Sequence, residues 1–211
     1  MTESGRFITF EGGEGGGKST QARLLGDFLR NLGLPIQLTR EPGGTPGAEA
    51  IRRLLVDGDV DRWDATAEAL LHFAARRHHL VEGILPALKR GEWVICDRFA
   101  DSTMAYQGYG LGLGREPIER LYAFAVGNFA PALTLILDLP VEAGLSRAGG
   151  RGGGEDRYER MGIPFHRRLR EGFLDIARRE PERCVVIDAT GDVETVHAHV
   201  LSAVRARFNL P

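Results

Sequence analysis

Short apolar runs recur along the chain, separated by longer stretches in which apolar residues return every three or four positions. FITFE at Phe7–Glu11, IQLTR at Ile36–Arg40, WVICD at Trp93–Asp97, LTLILD at Leu133–Asp138 and VVID at Val185–Asp188 read as strands. Runs such as LTLILD carry no polar alternation, which predicts strands covered on both faces. The spacing predicts helices over Lys18–Leu32, Ala48–Val56, Ala65–Arg90, Pro117–Asn128, Pro164–Arg179 and Val193–Phe208. In the first of these, Leu24, Leu25, Phe28, Leu29 and Leu32 form one stripe, and Gly33 supplies the stop. Strands alternating with helices predict an α/β fold, a three-layer α/β/α arrangement around a five-stranded parallel sheet.

A chain of 211 residues suits one domain, 1–211, with a sizeable core. One segment breaks the pattern. Ala148–Gly154 (AGGRGGG) is too glycine-rich to hold a fixed fold unaided, and a strand and a helix follow it. It is expected to be a short flexible lid at about 147–160, not a linker.

Composition adds exclusions. Hydrophobic residues at 43% and charged residues at 27% are ordinary for a globular chain, and 27 basic against 29 acidic residues leave a net charge of −2. Nothing in that balance asks for a nucleic-acid or membrane-surface partner. The longest apolar runs are strand-sized and Met1–Phe10 lacks a secretory pattern, so neither a membrane span nor export is expected. Cys96 and Cys184 share no metal-ligand spacing and read as small buried strand residues of a reducing compartment, the cytoplasm.

The strongest chemical signal is Gly12-Gly13-Glu14-Gly15-Gly16-Gly17-Lys18-Ser19, which matches GxxxxGK[ST] directly after an apolar strand and before an amphipathic helix. Glycines let such a loop curl so that successive amides face phosphate oxygens, backed by a helix N-terminus. Lys18 then reaches the β- and γ-phosphates, and the Ser19 hydroxyl can ligate Mg²⁺. The chain has only two lysines among its 27 basic residues, and one of them holds this position. The loop, extended through Thr20, predicts ATP binding in a P-loop NTPase fold and nothing narrower.

Such a site needs a strand-end carboxylate to hold the metal through water. Asp97 and Asp138 both end strands. Asp97 is favoured because Arg98 follows it, whereas Asp138 leads into a plain turn and reads as a helix cap; Asp188, near the C-terminus, reads as structural or as part of the base side. The six histidines show no HExxH or Cys/His signature.

Several segments together resemble the thymidylate kinase family. They are FEGGEGGGKST, Thr39-Arg40-Glu41-Pro42-Gly43-Gly44-Thr45, Phe73-Ala74-Ala75-Arg76-Arg77-His78, Asp97-Arg98-Phe99-Ala100-Asp101-Ser102 with Ala105-Tyr106-Gln107-Gly108, and Gly154-Glu155-Asp156-Arg157-Tyr158-Glu159. The resemblance implies a kinase that moves the γ-phosphoryl group of ATP, with Mg²⁺, onto thymidylate (dTMP), giving dTDP and ADP on the way to dTTP. It implies that Arg98 and Arg52 bind the acceptor phosphate with Arg40 nearby. Phe73 would stack on thymine, Arg77 and Gln107 would bond its polar edge, and Thr103 would lie beside that edge. Tyr106 would sit under the deoxyribose, and Glu14 would accept from the sugar 3′-hydroxyl. The residue types suit those tasks: guanidinium forks match a dianionic phosphate, and Phe73 and Arg77, four apart, share a helix face.

The family divides over where its catalytic cation resides. This P-loop has no arginine, so the resemblance assigns that charge to the lid: Arg151 first, then Arg157 and Arg147. Between Arg147 and Arg170 seven arginines face three acids. A homodimer through helices within 48–90 and 117–128 is also implied. Two readings stay open: a kinase for another nucleoside monophosphate or a deoxynucleoside, and a P-loop protein that serves as a nucleotide-dependent switch.

Overall fold

The computed structural model of the protein describes residues 5–149 and 157–211. Strands β1 (Phe7–Glu11), β2 (Ile36–Arg40), β3 (Trp93–Asp97), β4 (Leu133–Asp138) and β5 (Cys184–Asp188) form one sheet in the order β2-β3-β1-β4-β5. Every pairing is parallel. The strands lack polar alternation because their side chains feed two cores, one on each face. Phe7, Val94, Cys96 and Ile136 pack with Phe73, Leu80, Ile84, Phe165 and Phe173 on one side. Ile8, Phe10, Ile95, Leu135 and Leu137 pack with Leu25, Leu29, Val196 and Val200 on the other.

The helices are α1 (Lys18–Asn31), α2 (Pro46–Val56), α3 (Ala65–His79), α4 (Leu85–Lys89), α5 (Ala100–Thr103), α6 (Arg115–Ala125), α7 (Val141–Gly149), α8 (Ile163–Arg179) and α9 (Val193–Phe208). The single helix expected over Ala65–Arg90 is one rod with a wide π-helical turn, Leu80–Ile84, joining α3 to α4. Two helical stretches were not expected at all. Helix α5 and the π-helical Met104–Gly110 that continues it carry Asp101, Ser102, Thr103 and Gln107, all buried, so the stretch shows no apolar stripe. Helix α7 is short and runs into the glycine-rich segment. Strand β5 begins at Cys184, one residue before the apolar VVID run.

The chain leaves β1 toward β2 on one side of the sheet, while β4 and β5 lie on the other. A crevice therefore opens at the carboxyl ends of β1 and β3, the place where parallel sheets hold ligands.

Candidate active site

Strand β1 delivers the glycine-rich loop into that crevice. Gly12 and Gly15 adopt positive φ, 127° and 71°. A Cβ on Gly12 would lie 2.4 Å from the Leu137 carbonyl oxygen and one on Gly15 2.0 Å from that of Gly144, so only glycine lets the loop wedge between β4 and α7. No side chain caps α1, whose first-turn amides face the loop's end as an anion site needs. Lys18 is buried and its Nζ donates to the Gly13 carbonyl at 2.6 Å. Burial pulls the Lys18 pKa down to about 8; Arg98 adds to that shift, while Glu14 and Asp97 oppose it.

Ser19 Oγ donates to Asp97 Oδ2, bringing together the two residues expected to hold the metal. Asp97 Oδ1 is buried with no hydrogen-bond partner among the described residues. Among the described residues no group of three His, Cys, Asp or Glu forms an all-protein cage. A hydroxyl, one carboxylate and an unsatisfied oxygen fit Mg²⁺, which completes its octahedron with phosphates and water. Asp138 is neither a ligand of that kind nor a helix cap, because Arg170 holds both its oxygens at 2.7 and 2.8 Å. Asp188 closes a local turn on the Thr190 amide.

Arg98 stands at the head of the turn after β3 with φ 70°, a strained setting for a non-glycine residue. Its guanidinium donates to the Gly12 carbonyl and to both oxygens of Glu14, and lies 5.0 Å over the Tyr106 ring. Tyr106 Oη donates to Glu14 Oε1 at 2.5 Å. Burial opposes ionisation of Glu14, yet Arg98, Lys18 and the Tyr106 hydroxyl together hold its pKa near about 2. Beneath them Glu11, fully buried, accepts from the Phe99 amide at 2.7 Å and from Ser102 Oγ at 2.5 Å. Burial and the neighbouring Asp101 push the Glu11 pKa up to about 8. Arg40, paired with Glu49, and Arg52, donating to the Pro42 carbonyl, line the same cleft.

The base end of the cleft requires a correction. Phe73 and Arg77 do not line it. Phe73 is 3% exposed in the core beneath the sheet, and Arg77 donates to the Ala125 carbonyl on α6. The cleft-facing pair is His72 and Arg76, one residue earlier on α3. Arg76 is locked in place: Nε donates to Glu41 Oε2 at 2.8 Å, and Nη2 donates to the Phe99 carbonyl and to Thr103 Oγ1, both at 3.0 Å. Thr103 therefore sits behind the arginine. His72 bonds the Tyr158 hydroxyl through Nε2 at 3.0 Å. Burial first, and then Arg76, Arg157 and Arg98, lower the His72 pKa to about 3, so the ring is neutral. Gln107 and Tyr106 line the cleft as expected.

The sequence does carry a signal for the correct pair. Glu68, His72, Arg76 and His79 make a polar stripe at helical spacing on α3, while Ala69, Phe73 and Leu80 make the apolar one. Glu41, which holds both Arg76 and His79, ties β2 to this face.

Of the three lid arginines, Arg151 lies outside the described residues. Arg147 donates to the carbonyls of Ala189 and Thr190. Arg157 is 1% exposed; it pairs with Glu68 at 2.6 Å and donates to the carbonyls of Leu55, Asp59 and Val60. In this arrangement neither Arg147 nor Arg157 presents its guanidinium to the phosphate loop.

Residues 10–200 match the family model described as thymidylate kinase. A thymidylate kinase of Caulobacter vibrioides is 55% identical over 210 residues, spanning 100% of both chains. One from Ruegeria pomeroyi is 52% identical over 99% of each. The crystal structure of thymidylate kinase from Ehrlichia chaffeensis superposes with a TM-score of 0.76 at 36% identity, covering 95% of this chain and 99% of that one. Loop, cleft and comparisons agree, and the chain belongs to the thymidylate kinase family.

Proposed function

We propose that the two ends of the cleft divide the reaction between them: the Gly12–Thr20 loop holds Mg²⁺-ATP, and the far end holds thymidylate, which receives the γ-phosphoryl group. The observation that carries this reading is a pair of buried atoms without hydrogen-bond partners among the described residues, Arg76 Nη1 and Gln107 Oε1, on two residues that line the cleft. One is a donor and the other an acceptor. A thymine edge offers the matching pair, N3–H and O4; cytosine offers the reverse at both atoms. A site whose buried polar groups would go unpaired rejects the wrong base strongly.

The acceptor phosphate belongs near Arg98, Arg52 and Arg40, whose planar forks match a dianion. His72 offers a neutral ring to the base plane. Tyr106 and Glu14 occupy the space between base and phosphate, where the sugar would lie. With Ser19 and Asp97 as its protein contacts, Mg²⁺ would neutralise developing charge on the phosphates. Lys18, desolvated beside the loop, carries positive charge to the same oxygens. The acceptor is already an anion, so positioning and charge neutralisation suffice without a general base. Arg151 is proposed as the cation that completes the site, with Arg147 and Arg157 engaged elsewhere.

Turnover should be measured with thymidylate, deoxycytidylate, uridylate, guanylate and thymidine under ATP and Mg²⁺. Thymidylate is expected to be fastest; a higher rate with thymidine would overturn the acceptor reading.

A homodimer is proposed as well, because apolar side chains stay exposed on α3 (Leu70) and on the two helices packed against it, α2 (Leu54) and α6 (Phe124). Sedimentation of the protein and of F124D, with monomer expected for the variant, tests it. No helix among the described residues is long and apolar enough to cross a membrane, and the cytoplasm is the proposed site of action.

A further inference from the structure

Glu68 is fully buried in the first turn of α3, and it is not among the cleft-lining residues. Its two oxygens are divided between partners from distant parts of the chain. Oε1 accepts from Gln107 Nε2 at 2.7 Å, and Oε2 pairs with Arg157 Nη1 at 2.6 Å. We infer that Glu68 is the positioning residue that decides which end of the Gln107 amide reads the acceptor base. This deepens the thymidylate reading and rests on it.

The two ends of a glutamine amide have almost the same shape, and neighbours alone choose between them. Left to itself, Gln107 could present either C=O or NH2 to the cleft, accepting from thymine N3–H in one orientation and donating to cytosine N3 in the other. A carboxylate removes the choice. Glu68 Oε1 accepts and its Oε2 faces the Arg157 guanidinium, so the Gln107 NH2 is the end that turns to Glu68. The carbonyl oxygen is thereby left for the cleft, and among the described residues it is buried without a hydrogen-bond partner. Arg157 matters because it occupies the second oxygen of Glu68. Its remaining donors are held by the carbonyls of Leu55, Asp59 and Val60, which fixes it from the α2–α3 connection.

Glutamine is the informative substitution at 68. E68Q keeps size and burial but can donate as well as accept, so the Gln107 amide becomes free to turn. The ratio of kcat/KM for thymidylate over deoxycytidylate should fall at least about tenfold, mainly through the two KM values, with KM for ATP unchanged. E68D, shorter but still acceptor-only, should keep the wild-type ratio. Q107L should lose the ratio, and the double variant E68Q/Q107L should lose no more than Q107L alone.

A fall in kcat/KM by the same factor for both nucleotides in E68Q would show a merely structural role and overturn the inference. If E68Q does not fold, the comparison of E68D with Q107L decides, since loss of the ratio in both overturns it. If Q107L keeps the wild-type ratio, the reading of the base edge itself fails. If Q107L loses it and E68Q does not, only the role of Glu68 fails.

Discussion

Arg98 Nη2 lies 3.1 and 3.2 Å from the two oxygens of Glu14, so the residue proposed to grip the acceptor phosphate is held by a member of the ATP loop. The pair joins the carboxyl end of β3 to the loop after β1, and the Gly12 carbonyl adds a second tether. Both halves of the site are therefore positioned by one guanidinium. Lysine at 98 would keep the charge and lose the fork. Replacing a charged hydrogen bond costs about 1.5–3 kcal/mol, so R98K should lower kcat/KM for thymidylate roughly 10- to 150-fold. Steady-state kinetics on a variant with unchanged thermal stability checks this, and a loss under threefold would remove Arg98 from the phosphate site.

Glu11 lies below that pair and holds the turn that carries Arg98. Its folded pKa is raised from 4.5 to about 8, by burial and by Asp101. The sign follows from proton counts. Between those values the folded state keeps a proton that the unfolded chain has lost, so stability falls as pH rises and levels off above about 8. E11Q is neutral at every pH. Its melting temperature, taken relative to wild type, should therefore climb from about pH 5 to about pH 9. A difference that stays constant across that range would contradict the raised pKa.

His72 is neutral because burial and the surrounding arginines hold its pKa near about 3. A neutral ring facing a base works as an aromatic platform and not as a titrating group. H72F should keep the pH profile of kcat/KM unchanged between about pH 5.5 and 8. It gives up the bond to Tyr158, worth about 0.5–1.5 kcal/mol of stability. H72A also removes the platform, and KM for thymidylate should rise by the equivalent of about 1–3 kcal/mol. If H72F shifts the profile near pH 6.5, His72 titrates in the working range.

The same helix shows what could and could not be read from the chain. Strand positions were legible because LTLILD and WVIC must be apolar on both faces of a parallel sheet, and little else places such runs beside a GxxxxGK[ST] loop. The positions of the loop, Asp97 and Arg98 were legible for a related reason, since their sequence context fixes their place at strand ends, whereas Gln107 was placed only by the family resemblance. The phase of α3 was not. Phe73 with Arg77 and His72 with Arg76 have identical spacing, and sliding one residue turns the pair about 100° around the helix. The spacing of one pair is blind to that rotation; the longer polar stripe of Glu68, His72, Arg76 and His79 marks it, and the packing of Phe73 into the core settles it. Helix α5 and its π-helical extension were missed because buried polar residues interrupt their buried apolar ones, with partners such as Glu11, Arg76 and Glu68 supplied from elsewhere in the chain.

Arg157 and Arg151 separate most cleanly by experiment. The Arg157 guanidinium is buried, pairs with a fully buried Glu68, and braces three carbonyls of the α2–α3 connection. R157M would leave Glu68 buried without its partner, a loss of about 3–5 kcal/mol. Urea unfolding should show it as a lowered midpoint at unchanged slope. R151A is expected to act on the rate, lowering kcat by up to about 10³-fold while KM for thymidylate stays near wild type, as befits a cation that meets only the transferring group. The two outcomes exchange if the roles do. An R157M enzyme of normal stability and low kcat, beside an R151A enzyme of normal kcat, would place the catalytic charge on Arg157 and require that residue to leave Glu68 during turnover.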